Sequence, residues 1–465
     1  MNLLIIGNGF DLAHDLPTQY KDFLKFVNLA NAILDNDLDT IKNIETSDGN
    51  DDNEIKKTKD FITFIKSLKD KENFKYIEEL HKLSIDNLWF NYFNNLKSKF
   101  NTWIDFETEI SKVIQILETV KAAKDDAILY NKSSFKVHDG IQVVANLLQN
   151  TDNYDNKKSN QNNNDINYHL NVKGYSLLIS KLLKDLNRLT RCLEIYLSFY
   201  INSLDTNIRI PEIIDLSNNN IDYVLSFNYT NTFERFYKTL KNNKFDKKIE
   251  FDYIHGKASL ENDIHTCPLV LGIDEYLDDN EKNINIDFIQ YKKYFQRISK
   301  KTGCKYISLL ENLKELNDFA NKKKQEKNNT RIESPTKKEI IPLNIYIFGH
   351  SLDITDKDVL YKLIMHGNTK TTIYYHNNDS YKKQIANLVR VLSQDVLIDS
   401  VYGMNPRIKF VKQKEVKESE EKNIVESEIK EVSTIAAHND YLDEPGEKEN
   451  IQSDLDEMDS WDNEE

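Results

Sequence analysis

One stretch decides the fold: Met1-Asn-Leu-Leu-Ile-Ile-Gly-Asn-Gly-Phe-Asp-Leu-Ala-His-Asp-Leu-Pro-Thr-Gln-Tyr20. Leu3 to Ile6 is an unbroken apolar run, which is typical of a strand buried on both faces of a parallel sheet. Gly7 and Gly9 bracket Asn8, and a glycine turn before a helix offers backbone amides to phosphate. The stretch departs from the Gly-x-Gly-x-x-Gly fingerprint because position 12 is Leu, so a tight strand-to-helix turn is an equal alternative.

The rest of the chain repeats this strand-then-helix pattern. Short apolar runs predict strands at 221–226, 249–254, 268–272, 344–348, 371–375 and 407–411. Most of them are followed by segments with apolar residues at helical spacing. Strands that alternate with helices predict an α/β fold, with a parallel Rossmann-like sheet and helices on both faces.

The segment between the first two strands carries helical patterns and no strand pattern. We therefore predict a large all-helical insertion at 55–205, between a first part of the nucleotide-binding α/β domain at 1–54 and its remainder at 206–411. Residues 35–60 are polar and acidic, and they predict a surface loop with a short helix near 40–44. The polar run 151–167 predicts a disordered loop, because it has little apolar surface to bury.

Charge is unevenly distributed along the 465 residues, whose formal net charge is −14. Residues 412–465 contain 19 Asp or Glu and 6 Lys or Arg, a net of −13, which leaves −1 for the rest. We predict that 412–465 is a disordered acidic tail that solvates the chain or binds a partner. The near-neutral body gives no general electrostatic case for nucleic acid, which is therefore not the favoured partner, although a local basic patch stays open.

Other classes of protein are disfavoured by what the sequence lacks. No stretch approaches 18 consecutive apolar residues and no basic leader precedes the first strand, so we predict a cytoplasmic protein without a membrane segment. Cys192, Cys267 and Cys304 are widely spaced, which fits a reducing compartment and predicts no zinc or other metal site. No Gly-Lys-Ser/Thr loop for ATP hydrolysis occurs.

Polar motifs stand directly after the predicted strands, where a parallel sheet binds its ligands. Asn228 follows the second strand, His255 with Gly256 follows the third, and Gly349-His350-Ser351 follows a later one. An Asn amide can contact a ribose or a nicotinamide, and a histidine can act as a general base near neutral pH. The alternatives are an Asn helix cap, a hydrogen-bonded histidine at a strand end, and a helix capped by Asp353.

One further motif lies on a predicted helix, Trp103-Ile-Asp-Phe-Glu107. Asp105 and Glu109 share a face of this helix at i, i+4. Glu107 can reach back to the glycine turn and hold ribose hydroxyls or a water molecule. The alternative is an ordinary helix with a solvated acidic face.

These segments together resemble the AbiH-like abortive-infection proteins of bacteria. The resemblance is carried by Gly7-Asn-Gly-Phe-Asp-Leu-Ala-His14, Trp103-Ile-Asp-Phe-Glu107, Ser226-Phe-Asn-Tyr-Thr230, Ile254-His-Gly256 and Phe348-Gly-His-Ser-Leu-Asp353. It implies defence against phage and a core similar to the sirtuin-like nucleotide-binding fold, without implying one chemistry.

In sirtuin-like enzymes, a glycine turn, an Asn after a strand and a His-Gly after the next strand form the site that cleaves the nicotinamide–ribose bond of NAD. This chain has the same order of motifs, which implies His255 and Asn228 as catalytic residues. Two departures argue against deacylation: Thr230 stands where an acidic residue is expected, and a four-cysteine zinc module is absent. The implied NAD-binding set is Gly7, Asn8, Gly9, Phe10, Asp11, Thr230, Gly256, Gly349, His350 and Ser351.

The sequence therefore predicts a phage-defence protein that binds a nucleotide and hydrolyses NAD at the nicotinamide–ribose bond. One alternative is a non-catalytic nucleotide sensor that engages a partner protein. A third is an RNA nuclease that uses His255, His350 and the acids of the Trp103 helix. The expected partners are a nucleotide and a phage-derived trigger or another defence protein, and a homo-oligomer stays open.

Overall fold

The computed structural model describes residues 1–49, 51–99, 105–122, 172–218, 221–237, 249–274, 288–328 and 342–414. Met1–Glu415 form one compact unit. The predicted disordered loop 151–167 lies outside the described residues, and so does the predicted tail beyond residue 414. The predicted domain boundaries within residues 1–411 stay a prediction.

Six strands of the described chain form one parallel sheet. They are β1 (Asn2–Ile6), β2 (Tyr223–Ser226), β3 (Glu250–Tyr253), β4 (Leu343–Phe348), β5 (Thr369–Tyr375) and β6 (Ile408–Lys412). Their order is β3-β2-β1-β4-β5-β6, and every neighbouring pair is parallel. This is the usual order of a doubly wound Rossmann sheet, in which strand order reverses beside the first strand. The predicted α/β fold with a parallel sheet is confirmed.

The central position of β1 follows from its apolar run. Leu4 and Ile6 belong to the hydrophobic core on one face of the sheet, and Leu3 and Ile5 belong to the core on the other. All four side chains are buried. Because alternate side chains of a strand point to opposite faces, these four consecutive apolar residues supply side chains to a core on each face of the sheet.

Helices cover both faces of the sheet and fill the described chain between β1 and β2. In chain order they are α1 (Asn8–Leu12), α2 (Tyr20–Leu34), α3 (Leu38–Ser47), α4 (Asp52–Ser67), α5 (Phe74–Ser84), α6 (Leu88–Lys99), α7 (Phe106–Ala122), α8 (Val172–Ile195), α9 (Pro211–Asn218), α10 (Thr232–Tyr237), α11 (Lys293–Lys300), α12 (Lys305–Asn328), α13 (Lys357–Ile364), α14 (Asn378–Leu392) and α15 (Gln394–Tyr402). No helix among these described ones has the length and apolar character needed to cross a membrane.

Aromatic stacking joins the helices that precede the second strand. The ring of Phe106, at the start of α7, stacks on Tyr20 of α2 at 4.0 Å between centroids and on Phe93 of α6 at 3.9 Å. All three belong to or pack against the core that also contains Leu4 and Ile6 of β1. The stack therefore fixes the first turn of α7 against α2 and α6.

The predicted surface loop at 35–60 is wrong, because this segment contains α3 and the first half of α4, although the short helix predicted near 40–44 is confirmed as part of α3. Asp37 accepts a hydrogen bond from Thr40 N at 3.0 Å, and Asp51 accepts one from Asn53 N at 3.0 Å. Asp37 and Asp51 belong to the acidic residues on which the loop prediction is based. They are helix N-caps, which accept hydrogen bonds from backbone amides at the start of a helix.

Candidate functional site

The turns after β1 and β4 pack directly on each other. Gly7 N donates to Phe348 O at 3.1 Å, and Gly9 N donates to Gly349 O at 2.8 Å. A Cβ added to Gly7 would lie 2.7 Å from His350 Cα, and a Cβ added to Gly9 would lie 2.8 Å from Gly349 Cα. The glycines therefore let two backbones meet at a distance that a side chain would prevent.

This packing bears on the predicted phosphate cradle. The amides of Gly7 and Gly9 already bond to the chain itself, so a phosphate would need other donors. Asn8 is exposed, and its Oδ1 accepts from Thr18 Oγ1 at 2.7 Å. Phe10 is fully buried in the core. The nucleotide contacts expected of residues 7–10 stay a prediction.

Asp11 is buried beneath the glycine turn and is tied to the chain after β2. Thr230 Oγ1 donates to Asp11 Oδ2 at 2.6 Å, and Asn228 Nδ2 donates to Gly7 O at 3.0 Å. Among the described residues, Asp11 Oδ1 has no hydrogen-bond partner. Burial raises the pKa of Asp11 to about 6, although the hydrogen bond from Thr230 lowers it. The structure thus brings Asp11, Asn228 and Thr230 together at the first turn.

His255 lies after β3, and both of its ring nitrogens are near acceptors. Nδ1 is 3.2 Å from Phe227 O, and Nε2 is 3.2 Å from Asp356 Oδ1. Burial and the ammonium of Lys293 lower the pKa of His255, although Asp356 opposes this. In a neutral imidazole only one of the two ring nitrogens is protonated. The other nitrogen of His255 therefore faces an acceptor to which it cannot donate a hydrogen bond. His255 therefore gains a second hydrogen bond when it takes up a proton.

His350 lies after β4 and has a tautomer fixed by its own loop. Leu352 N donates to His350 Nδ1 at 2.8 Å, so Nδ1 accepts and the ring proton is on Nε2. Nε2 lies 3.5 Å from Asp356 Oδ2. The backbone carbonyl of His350 is also held, because Gln384 Nε2 donates to it at 3.2 Å. His350 thus directs its proton towards Asp356.

Four side chains lie around Asp356, and we call Glu107, His255, Lys293, His350 and Asp356 the Asp356 cluster. Lys293 Nζ lies 2.7 Å from Glu107 Oε2 and 3.2 Å from Asp356 Oδ1. The side chain of Lys293 is 3% exposed, and those of Glu107 and Asp356 are 14% and 10% exposed. The cluster joins four parts of the chain at the carboxyl ends of the strands: α7, the segment after β3, α11 and the segment after β4.

Burial and charge act in opposite directions within the cluster. Burial raises the pKa of Glu107 to about 8, although Lys293 lowers it. Burial alone would also raise the pKa of Asp356, but Lys293, His255 and His350 hold it well below its usual range. Burial alone would lower the pKa of Lys293, but Asp356 and Glu107 raise it. At neutral pH the cluster therefore has an ionised Asp356, a protonated Lys293 and a Glu107 that keeps its proton.

Sequence reasoning misses two members of this cluster. Neither Lys293 nor Asp356 is among the site residues that the sequence predicts. Glu107 is a sequence candidate, and the structure brings it to Lys293. The one signal that would have indicated Asp356 is an acidic residue shortly after a polar motif that itself follows a strand.

Two other predicted residues have clear structural surroundings. Gly256 has φ +82°, and a Cβ there would lie 2.3 Å from Pro268 O, so only glycine fits. Ser351 is exposed, and its side chain is not part of the cluster. The cap alternative for this motif is confirmed, because Asp353 Oδ1 accepts from Thr355 N at 3.1 Å.

The predicted strand 268–272 is wrong, since this segment is extended but is not a strand of the sheet. The side chain of Gln296 donates to Leu271 O and accepts from Leu271 N, both at 3.1 Å. Val270 N donates to His255 O at 2.8 Å, and Tyr229 Oη donates to Val270 O at 2.9 Å. The side chains of Gln296 and Tyr229 thus make hydrogen bonds to backbone groups that would pair with a neighbouring strand in a sheet. The hydrogen bond from Val270 N to His255 O also holds the backbone of His255 in place.

Within the part of the chain that the structure describes, no three His, Cys, Asp or Glu side chains are grouped to hold a metal ion. In the Asp356 cluster, the ammonium of Lys293 lies between the carboxyl groups of Glu107 and Asp356, where a bound cation would otherwise lie.

A family model described as "Bacteriophage abortive infection AbiH" matches residues 3–377. This range begins in β1, ends after β5 and contains every residue of the Asp356 cluster. No curated protein and no solved structure matches the chain significantly. The sirtuin-like character of the core stays a prediction.

Proposed function

This chain belongs to the bacteriophage abortive infection AbiH family, as its motifs predict, and we propose that it binds NAD and hydrolyses the nicotinamide–ribose bond. The observation that carries the proposal is the Asp356 cluster, a buried set of titratable groups at the carboxyl ends of parallel strands. Ligands of open α/β sheets bind at this edge. Buried titratable groups with strongly shifted pKa values are typical of catalytic sites.

The chemistry requires few groups from the protein. The nicotinamide ring of NAD is cationic, so it leaves as a neutral molecule and takes the electrons of the broken C–N bond. The ribose becomes positively charged at C1, and a nearby carboxylate stabilises that charge. Water then adds to C1 and loses a proton to a general base. The products are nicotinamide, ADP-ribose and one proton.

The cluster supplies both kinds of group. Asp356 is ionised, and Glu107 becomes ionised as the pH rises past about 8. Either carboxylate can stabilise a developing cation. His255 is neutral, and the two acceptors beside its ring would stabilise the imidazolium that forms when it takes the proton from water. Asn228 would position the ribose beside the glycine turn, where its amide already contacts Gly7 O.

Two tyrosines supply an aromatic surface for the nicotinamide ring. Tyr20 and Tyr229 both interact electrostatically with Glu107, so their hydroxyl groups lie near the cluster. The ring of Tyr20 stacks on Phe106, and the ring centroid of Tyr229 is 6.0 Å from that of His255. Aromatic faces bind flat, cationic rings well.

The direct test is nicotinamide release by the purified full chain incubated with NAD, with and without lysate of phage-infected cells. We expect His255→Ala and Asn228→Ala to lower the rate by about 100-fold or more, as removal of a general base or positioning group does. His376→Ala is the matched control, because His376 is an exposed histidine outside the cluster. Full activity in both site variants would reject this site. Saturable NAD binding without release would instead favour the nucleotide-sensor alternative.

RNA hydrolysis is a second candidate, and one observation favours it. His255, His350 and Lys293 all lie around Asp356, and two imidazoles with an ammonium can transfer protons and stabilise a phosphorane without metal. RNA cleavage that is lost in His255→Ala, with NAD left intact, would favour this function over NAD hydrolysis.

A further inference from the structure

A polar pocket lies on the far part of α11, and none of its lining residues belongs to the Asp356 cluster. Its volume is about 250 Å³, and it opens between α8, the loop at residues 264–267 and α11. Its polar lining includes Asn187, Thr190, His265, Gln296 and Lys300. The pocket is therefore a separate place where a small molecule can bind.

Lys300 is the unusual group in this pocket. Its ammonium donates to the backbone carbonyl of Leu269, and no carboxylate of the described residues pairs with it. By contrast, the buried ammonium groups of Lys25 and Lys293 each contact two carboxylates. A half-buried cation with no carboxylate in direct contact is costly, and burial lowers the pKa of Lys300, although Cys267 and Glu194 act in the opposite direction. An anion bound in the pocket would remove that cost.

The pocket is rigid on the side where Lys300 lies. Gln296 and Lys300 are four residues apart on α11, so both side chains lie on one face of the helix. Gln296 bonds to both backbone groups of Leu271, and Lys300 bonds to Leu269 O. These contacts hold the ammonium in one position before any ligand arrives, which reduces the entropy lost on binding.

We propose that this pocket binds a small sugar phosphate, with its phosphate on Lys300. Lysine binds phosphate as a point charge, and a single unpaired ammonium matches one phosphate group better than a polyanion. Asn187 and His265, which are exposed at the rim, can contact sugar hydroxyls, and Phe295 offers an apolar face. The volume lies just below that of pockets for drug-sized ligands, which limits the ligand to a small metabolite.

The test is calorimetric titration of the full chain with ribose 5-phosphate, using ribose as the uncharged control. We expect saturable binding of ribose 5-phosphate, with a Kd at or below about 1 mM, and none of ribose. Lys300→Gln should weaken binding about 10-fold or more, since it removes a charge-assisted hydrogen bond, and Lys300→Arg should keep most of it. His255→Ala should leave binding unchanged, which separates this pocket from the NAD site.

Three outcomes would overturn the proposal: absence of ribose 5-phosphate binding at about 10 mM, equal affinity in Lys300→Gln, or loss of binding in His255→Ala alone. If Lys300→Gln melts at a lower temperature, the deciding variant is Asn187→Leu. It narrows the rim without touching the Leu269 contact, so wild-type affinity in that variant would also reject the pocket.

Discussion

The ammonium of Lys293 lies 2.7 Å from the carboxyl group of Glu107, and this contact is buried. Glu107 belongs to α7, in the helical block between β1 and β2, and Lys293 begins α11, which follows β3 along the chain. This contact therefore connects the helical block to the groups at the carboxyl ends of the strands.

Removal of the cation from this pair should be costly. Lys293→Met leaves Asp356 ionised and buried without its ammonium, and we expect a loss of about 3–5 kcal/mol in the free energy of unfolding. Lys414→Met is the matched control, because Lys414 pairs with Asp215 at 2.8 Å with both side chains 61% exposed. That change should cost about 1 kcal/mol or less. Urea unfolding measures both, and equal losses would show that the Lys293 contacts add no special stability.

Asp11 should make stability fall as the pH rises. Burial raises its pKa from 3.8 to about 6, so the folded protein holds the proton more tightly than the unfolded chain. The resulting penalty starts above about pH 3.8 and is complete above about pH 6. Asp11→Asn should therefore be more stable than wild type at pH 7, by an amount on the order of 3 kcal/mol, with little gain at pH 4. Urea unfolding at the two pH values tests this, and a gain that does not depend on pH would contradict it.

Glu107 should give the proposed NAD hydrolysis a pH dependence. Burial raises its pKa to about 8, so its carboxylate forms only as the pH rises through that value. We expect kcat/KM for NAD to increase between about pH 7 and pH 9, and Glu107→Gln to be slower and flat over this range. His255 does not produce this rise, because its pKa is lowered from 6.5. A rise that persists in Glu107→Gln would assign the titration to another group.

The contact between the two glycine turns should be intolerant of any side chain. Gly349 has φ +67°, and a Cβ there would lie 2.2 Å from Phe10 N. Gly349→Ala should prevent folding or cost several kcal/mol, because backbone atoms must move. Gly49→Ala is the control with a similar φ of +59° but nothing within 4 Å of the added Cβ, and it should cost about 1 kcal/mol. The melting temperatures of the two variants separate the effect of the steric clash at Gly349 from the strain of a positive φ alone. Equal decreases in the two variants would contradict the prediction.

Local sequence patterns predict most of the secondary structure that matters here. The apolar run of β1 and the short runs of β2 and β4 are visible in the sequence, and so are the polar motifs after them. The errors arise where the same amino-acid composition is compatible with two kinds of local structure. Acidic residues near Asp37 and Asp51 indicate a loop but act as helix caps. Residues 268–272 have strand composition, yet the side chain of Gln296 takes the place of a neighbouring strand.

The α/β class and the positions of His255, His350 and Asn228 after strands can be predicted from the amino-acid sequence, because the strand period and the turn residues involve only a few neighbouring positions. The contacts of Glu107 and Lys293 with the Asp356 cluster, and the packing of Gly7 and Gly9 on the turn after β4, could be found only in the folded structure. Such contacts depend on the strand order and on how α7 and α11 pack. The spacing of residues within a short segment carries no information about either. The shifted pKa values of Glu107 and Asp11 follow from that packing, because burial is a property of the folded chain.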